Sequence, residues 1–191
     1  GFNRVSVGTQ SFDNNVLQRL GRKHNSDAAY NALKTLKKSG FENISADVIF
    51  GVPQMNNQQL LHTLNILIDF QIPHISAYAL TVEPKTALDV LIKKGKEIAP
   101  DEDVLASQFL LTIETLRKAD YIHYEISNYA KDGYYSVHNS NYWKNKKYLG
   151  LGPSAHSYNC ISRQWNISNI TEYIETINSG IIPAEKEILS N

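Results

Sequence analysis

Hydrophobic and polar residues alternate over short stretches in the first eighty positions of the chain. The first stretch, residues 3–12, alternates Val5 and Val7 with polar or small residues and predicts a strand. The second, residues 41–50, is almost continuously apolar, and the third covers residues 75–80. Nearly continuous apolar strands are typical of a sheet that is covered on both faces, so we expect parallel strands buried by helices.

Helical periodicity separates these strands and continues after them. Apolar residues recur every three or four positions in six segments, and each predicts a helix, at residues 13–21, 26–40, 57–70, 86–94, 101–119 and 171–180. On the longest helix the expected buried face consists of Leu105, Phe109, Ile113 and Leu116. The rest of the second half predicts a strand at 121–127, an aromatic loop at 128–156 and the beginning of a further helix at 184–191.

The order of these elements in residues 3–80 is β-α-β-α-β. The connections are long enough for parallel crossovers, which gives the α/β class. Such a set belongs either to a doubly wound sheet or to part of a barrel, and periodicity alone does not choose between them. No Gly-x-Gly-x-x-Gly follows any of the strands, which weakens a dinucleotide-binding interpretation.

Composition excludes several classes of function. The 191 residues include 19 basic and 19 acidic side chains, so no basic excess indicates a nucleic-acid partner. The single cysteine, Cys160, excludes an internal disulfide and favours a reducing compartment. Neither an apolar run of about 20 residues nor a signal segment is present, so we expect a cytoplasmic protein without a transmembrane segment.

The two ends of the chain predict a fragment of a longer protein. Residue 1 is Gly rather than Met and leads into a strand almost at once. An opening strand of this kind leaves one edge of a sheet bare, and a bare edge is a candidate surface for dimerisation. The alternative is a processed or tagged chain.

Gln10, Arg22 and Asp47 form the first candidate site. Gln10 lies where the first strand ends, Asp47 lies within the second strand, and Arg22 follows a turn. In parallel α/β folds, ligands bind at the carboxyl ends of strands. A carboxylate, a guanidinium and an amide suit a zwitterionic nucleoside such as S-adenosylmethionine. The structural alternative is an Arg22–Asp47 ion pair, with Gln10 capping a helix.

His138 is the second candidate, within an aromatic stretch. An exposed imidazole next to Tyr142 and Trp143 could ligate a heme iron while an aromatic ring stacks on the macrocycle. The alternative is a loop that side-chain hydrogen bonds hold in place.

Several motifs, in order along nearly the whole chain, resemble those of a known family. The chain resembles the radical S-adenosylmethionine family of oxygen-independent coproporphyrinogen III oxidases, and in particular its heme-chaperone, HemW-like branch. The motifs that resemble the family are Asn3-Arg-Val-Ser-Val-Gly-Thr-Gln-Ser-Phe12, Leu20-Gly-Arg-Lys-His24, Asp47-Val-Ile-Phe-Gly-Val-Pro53 and Ile75-Ser-Ala-Tyr-Ala-Leu-Thr-Val-Glu-Pro84. Those that resemble the branch are Tyr124-Glu-Ile-Ser-Asn-Tyr-Ala130, His138-Asn-Ser-Asn-Tyr-Trp143 and Tyr148-Leu-Gly-Leu-Gly-Pro-Ser-Ala-His156.

The resemblance implies a fold and a set of binding residues. Residues 1–100 would supply strands four to six of a partial (βα)6 TIM-type barrel, and residues 101–191 a linking helix, a strand and the start of a truncated α+β region. Gln10, Arg22 and Asp47 match positions that bind S-adenosylmethionine, and His138 matches the motif associated with heme.

The family also holds a 4Fe–4S cluster on a Cys-x3-Cys-x2-Cys loop, which is absent here. The resemblance therefore implies that the cluster ligands precede Gly1 and that the fragment by itself is inactive.

Three hypotheses follow, two for the complete protein and one for the fragment alone. The first is a heme chaperone that hands heme to acceptor proteins. The second is an enzyme that oxidatively decarboxylates the propionates of coproporphyrinogen III to vinyl groups through a 5′-deoxyadenosyl radical. The third is an α/β fragment that binds no ligand.

Overall fold

The computed structural model of the chain describes residues 1–189. The chain forms two compact units, residues 1–135 and residues 136–191. The division at residue 100, which follows from the family resemblance, stays a prediction. Among the described residues, no helix has the length and apolar character that crossing a membrane would require.

Parallel strands and their crossover helices begin the first unit. In chain order its elements are β1 (Arg4–Gln10), α1 (Asn14–Arg19), α2 (Ser26–Lys38), β2 (Asn43–Phe50), α3 (Asn57–Asp69), β3 (His74–Ala79), α4 (Ala87–Lys93), α5 (Glu102–Lys118), β4 (Ile122–His123) and β5 (Asn128–Ala130). The strands form one sheet in the order β1-β2-β3-β5-β4. β1, β2 and β3 are parallel, whereas β5 runs antiparallel to both β3 and β4. The predicted parallel strands are confirmed, and their place as strands four to six of a barrel stays a prediction.

The hydrophobic core lies between one face of this sheet and the helices. Successive side chains of a strand point to opposite faces, and on β2 this alternation buries Ile44, Ala46, Val48 and Phe50 completely or almost completely. The buried helical side chains that cover them are Leu33, Leu60, Leu64, Leu67 and Leu116. The opposite face of the sheet is therefore left for polar residues.

The buried face of α5 differs from the predicted one. Leu116 is fully buried as expected, but the other fully buried positions are Gln108 and Thr112. Leu105, Phe109 and Ile113 are only partly buried and pack against the edge of the core. The helix is therefore rotated so that Gln108 and Thr112 lie on its buried side.

The predicted strand at 121–127 is wrong, because the chain reverses within it. β4 ends at His123, and β5 returns antiparallel beside it from Asn128. His123 Nε2 lies 3.0 Å from the Ile126 carbonyl oxygen, and the Glu125 carboxylate accepts a hydrogen bond from the Ser127 N–H over 3.0 Å. These local side-chain bonds close a turn where alternation predicts an extended chain.

Short helices and antiparallel strands form the second unit. Its elements are α6 (Val137–Trp143), β6 (His156–Tyr158), β7 (Ser162–Asn166), α7 (Ile170–Asn178) and β8 (Ala184–Ile188), with the sheet order β6-β7-β8. The predicted helix at 171–180 is confirmed as α7.

Gly150 must be glycine, because a Cβ there would collide with the His156 backbone.

Two predictions for this unit are wrong. Residues 137–143 of the predicted loop form α6, whose N-cap Ser136 accepts a hydrogen bond from the Asn139 N–H. Residues 184–188 form β8 rather than the beginning of a helix, because their backbone pairs antiparallel with β7 from Asn166 to Ser162. Residues 190 and 191, the end of that predicted helix, lie outside the described residues.

Candidate functional site

A row of polar side chains crosses the sheet of the first unit on the face opposite the helices. Asp47 on β2 pairs with Ser76 on β3, which pairs in turn with Asn128 on β5. Residues that pair across neighbouring strands share a face. Ser6 on β1 joins the row, because its Oγ lies 3.5 Å from Asp47 Oδ1. A carboxylate is thus flanked by hydroxyl groups from both neighbouring strands.

The Asp47 carboxyl group is partly buried. Burial raises its pKa above the ordinary aspartate value, and hydrogen bonds from Ser6 and Ser76 oppose that rise. Ser76 Oγ also lies 2.6 Å from Asn128 Oδ1. One hydroxyl proton cannot serve both acceptors, so Ser76 donates to Asp47 only when Asn128 turns its amide nitrogen towards Ser76.

Gln10 ends β1 in a left-handed backbone conformation with a φ of 62°. The register with β2 shifts after Val7, so that Gln10 pairs with Val48, the residue next to Asp47. A Cβ placed on Gly8 would lie 2.7 Å from Gln10 Nε2, so the amide occupies space that glycine leaves open. The fold therefore brings Gln10 and Asp47 onto adjacent strands.

Arg22 lies in the turn that ends α1. Gly21 adopts a φ of 63°, and the Arg22 N–H donates to the Leu17 carbonyl oxygen over 3.0 Å, as in a Schellman ending. The Arg22 side chain is exposed. In residues 1–189, no hydrogen bond or ion pair links it to Gln10 or Asp47, so its guanidinium remains open to an anionic group.

The structural alternative for these three residues is wrong in both of its parts. Arg22 and Asp47 form no ion pair in the part of the chain that the structure describes. The N-cap of α1 is Asp13 rather than Gln10, and the Asp13 carboxylate accepts hydrogen bonds from two backbone N–H groups of the first turn. Mutual pairing and helix capping therefore do not account for these side chains.

His138 lies in the first turn of α6 and is exposed. Tyr142 lies one turn further on, and the two ring centroids are 4.9 Å apart in an edge-on arrangement. Tyr148 meets Tyr142 at 4.9 Å, and Tyr158 lies 6.0 Å beyond Tyr148. One imidazole therefore stands at the end of a row of aromatic rings that supports it from one side.

His74 and its partners were not predicted by the sequence pattern. Ser45 Oγ lies 2.7 Å from His74 Nδ1, and the Tyr124 hydroxyl lies 2.8 Å from Nε2, so the buried imidazole is bonded at both nitrogens. Burial lowers the pKa of His74 to about 4, and the nearby Arg4 charge contributes to this shift. The alternation of His74 and Ser76 with apolar neighbours was the available signal that both face the polar side.

The residues present do not fit a 4Fe–4S cluster. Such a cluster needs three cysteine thiolates on the family loop, and the chain has Cys160 alone, which is exposed. Among the described residues, no group of three His, Cys, Asp or Glu side chains could hold a metal ion. The chemistry of Asp47 and Arg22 is compatible with S-adenosylmethionine, because the Asp47 carboxylate can accept hydrogen bonds and Arg22 forms no ion pair within residues 1–189.

Comparison with known proteins identifies the class. Residues 1–67 match the family model of the Radical SAM superfamily. The fold is similar to that of coproporphyrinogen III oxidase (HemN) from Escherichia coli, a radical SAM enzyme, with a TM-score of 0.78 over 100% of this chain and 46% of that one. At 18% identity this likeness shows the fold alone. Residues 1–67 therefore belong to the radical S-adenosylmethionine superfamily.

Curated relatives define the branch. The chain is 36% identical over 177 residues to the heme chaperone HemW of Bacillus subtilis. The alignment covers 93% of this chain and 47% of that protein. It is 38% identical over 156 residues to the heme chaperone HemW of Escherichia coli. That alignment covers 82% of this chain and 40% of the Escherichia coli protein. The chain is thus a HemW-like member of the superfamily, and it spans about half the length, or less, of these relatives.

Proposed function

We propose that the complete protein is a cytoplasmic heme chaperone that binds S-adenosylmethionine and heme and passes heme to acceptor proteins. The observation that carries this proposal is the similarity to the heme chaperone HemW of Bacillus subtilis over 93% of the chain. This chain would contribute one binding site in each of its two units.

The proposed S-adenosylmethionine site consists of Gln10, Arg22 and Asp47. The ligand brings ribose hydroxyls, an ammonium and a carboxylate, and when bound with an iron–sulfur cluster it supplies an adenosyl group for radical chemistry. Asp47 would accept hydrogen bonds from hydroxyl or ammonium groups, and Arg22 would donate to the carboxylate. Ser6 and Ser76 would keep the Asp47 side chain oriented towards the ligand.

The proposed heme site consists of His138 together with Tyr142. Neutral imidazole is a common axial ligand of heme iron. His138 is exposed, and its ring meets that of Tyr142 edge-on, so a ring nitrogen would be accessible to an iron that approaches from solvent. For a chaperone heme is the cargo, so an exposed and therefore reversible site suits the task better than a buried one.

The oxidase alternative receives less support. It follows from the likeness to coproporphyrinogen III oxidase, which at 18% identity concerns the fold only. Protoporphyrinogen formation by the complete, cluster-reconstituted protein under anaerobic reducing conditions would establish the oxidase. Absence of turnover while hemin binds would favour the chaperone.

S-adenosylmethionine binding tests the first site. In the complete protein we expect Asp47→Asn and Arg22→Gln each to weaken binding by about tenfold or more, since each removes a charge-assisted hydrogen bond. Asp69→Asn, at an exposed position on α3, is the matched control. Unchanged affinity in both site variants would overturn this assignment.

Hemin titration tests the second site. When the complete protein binds hemin, we expect a change in the Soret band. In His138→Ala that absorbance change should be lost, or the Soret maximum should lie at a different wavelength. His62→Ala, which removes another exposed imidazole from the first unit, should leave it unchanged. An identical Soret spectrum in His138→Ala would exclude His138 as an iron ligand.

A further inference from the structure

The turn after α6 reverses the chain beside the aromatic row. Asn145 adopts a left-handed φ of 48°, its N–H donates to the Tyr142 carbonyl oxygen, and the Lys146 N–H donates to that of Asn141 over 2.9 Å. This pattern is a Schellman motif. It returns the chain so that Tyr148 meets the Tyr142 ring. The residues between those two tyrosines are therefore held next to the candidate heme site.

The turn is anchored on its far side as well. Tyr148 and Tyr158 exchange two backbone hydrogen bonds of 2.9 Å, which tie the turn to the strand β6. Cys160 Sγ lies 3.8 Å from the Asn145 carbonyl oxygen. A loop that is fixed at both ends holds its backbone at a defined place, which lowers the entropy that the loop loses on binding.

Three lysines, Lys144, Lys146 and Lys147, occupy this turn, and all of them are exposed. No acidic residue lies between positions 132 and 172 of the sequence. In the described part of the chain, none of the three lysines forms an ion pair. The turn is thus a fixed cluster of positive charge whose counter-charge the surrounding segment does not supply.

We propose that Lys144, Lys146 and Lys147 bind the propionate carboxylates of a porphyrin seated on His138 and Tyr142. The proposal rests on the heme-binding function proposed above, and it specifies the ligand class as porphyrins with ionised propionates. A lysine ammonium donates to carboxylate oxygens from several directions, so the cluster tolerates small shifts of a cargo that must also leave. Exposed pairs of this kind are individually weak and sensitive to salt.

Hemin and hemin dimethyl ester distinguish this proposal from simple iron ligation. In the complete protein we expect the triple variant Lys144→Gln, Lys146→Gln and Lys147→Gln to bind hemin about five- to tenfold more weakly. The ester, which has no free carboxylate, should bind the unsubstituted protein and the triple variant equally. Raising the salt concentration should weaken hemin binding to the unsubstituted protein and have little effect on the variant.

A matched triple variant controls for the change in net charge. Lys93→Gln, Lys94→Gln and Lys96→Gln remove the same charge from the first unit and should leave hemin affinity unchanged. Equal hemin affinity of the two triple variants, with the His138→Ala effect intact, would overturn the lysine proposal alone. A lysine effect without a His138 effect would support the lysines and exclude the imidazole. Absence of hemin binding by the unsubstituted protein would overturn both proposals.

Discussion

Gln108 Oε1 accepts a hydrogen bond from the backbone N–H of Gly51 over 2.7 Å. The same side chain donates through Nε2 to the Met55 carbonyl oxygen over 3.0 Å, so one fully buried amide of α5 holds both ends of the loop that follows β2. Gly51 has a φ of 72°, and a Cβ there would collide with Leu105 of the same helix. The helix therefore fixes the loop at the carboxyl edge of the sheet.

Replacement of Gln108 by Leu should destabilise the first unit strongly. The substitution leaves a buried N–H at Gly51 and a buried carbonyl at Met55 without partners, which costs about 3 kcal/mol of the free energy of unfolding. Urea denaturation of the complete protein measures the effect. Gln58→Leu, at an exposed position of α3, is the control. Equal denaturation midpoints for the two variants would show that the loop does not depend on Gln108.

The sequence could predict most of the first unit because its elements follow simple periodicity. The alternation around Val5 and the apolar run before Phe50 result directly from burial of one or both faces of a strand. Gln108 could not be predicted to be buried, because apolar periodicity counts only apolar residues. Its burial depends on two backbone groups more than fifty positions away.

Some residues of the candidate site could also be proposed from the sequence. Strand ends and a carboxylate within an apolar strand indicated Gln10 and Asp47. The serine next to Asp47 on β3 depends on the register between strands, which a single sequence does not define. The bond between His74 and Tyr124 joins residues 50 positions apart through a turn that the sequence pattern did not predict.

Two buried tyrosines should respond in opposite ways to loss of their hydroxyl group. The Tyr121 hydroxyl donates to the Ile72 carbonyl oxygen over 2.6 Å, whereas the Tyr129 hydroxyl has no hydrogen-bond partner in the described residues. We expect Tyr121→Phe to lower the free energy of unfolding by about 1–2 kcal/mol and Tyr129→Phe to raise it by about 1 kcal/mol. Each variant controls for the other in thermal unfolding, and shifts of the same sign would contradict the expectation.

The buried imidazole of His74 should make stability depend on pH. Burial lowers its pKa from 6.5 to about 4, so the unfolded chain takes up a proton at a higher pH than the folded chain does. The stabilisation is complete above pH 6.5 and is lost as the pH falls towards 4, by about 3 kcal/mol at most. Urea denaturation between pH 7 and pH 4.5 measures this loss.

His74→Gln provides the comparison for that pH dependence. Glutamine can keep a hydrogen bond to Ser45 or Tyr124 but does not titrate, so the fall in stability below pH 6.5 should become shallower. His62→Gln, which removes an exposed histidine, should retain the steep fall. A slope in His74→Gln as steep as that of the unsubstituted protein would assign the acid sensitivity to other groups.

Asp47 should be required for binding S-adenosylmethionine but not for the stability of the fold. Burial raises the pKa of its carboxyl group, so its contribution to stability is largest below the ordinary aspartate pKa and is lost as the pH rises through the folded-state value. At pH 7 we therefore expect Asp47→Asn to melt at the same or a higher temperature than the unsubstituted protein. Asp69→Asn should behave like the unsubstituted protein.

Added S-adenosylmethionine should then separate the two roles of Asp47. A ligand that binds only the folded state raises the melting temperature of the complete protein. We expect this rise in the unsubstituted protein and in Asp69→Asn, and a much smaller rise in Asp47→Asn. A lower melting temperature of Asp47→Asn without ligand would mean that the carboxylate stabilises the fold. An undiminished rise with ligand would remove Asp47 from the binding site.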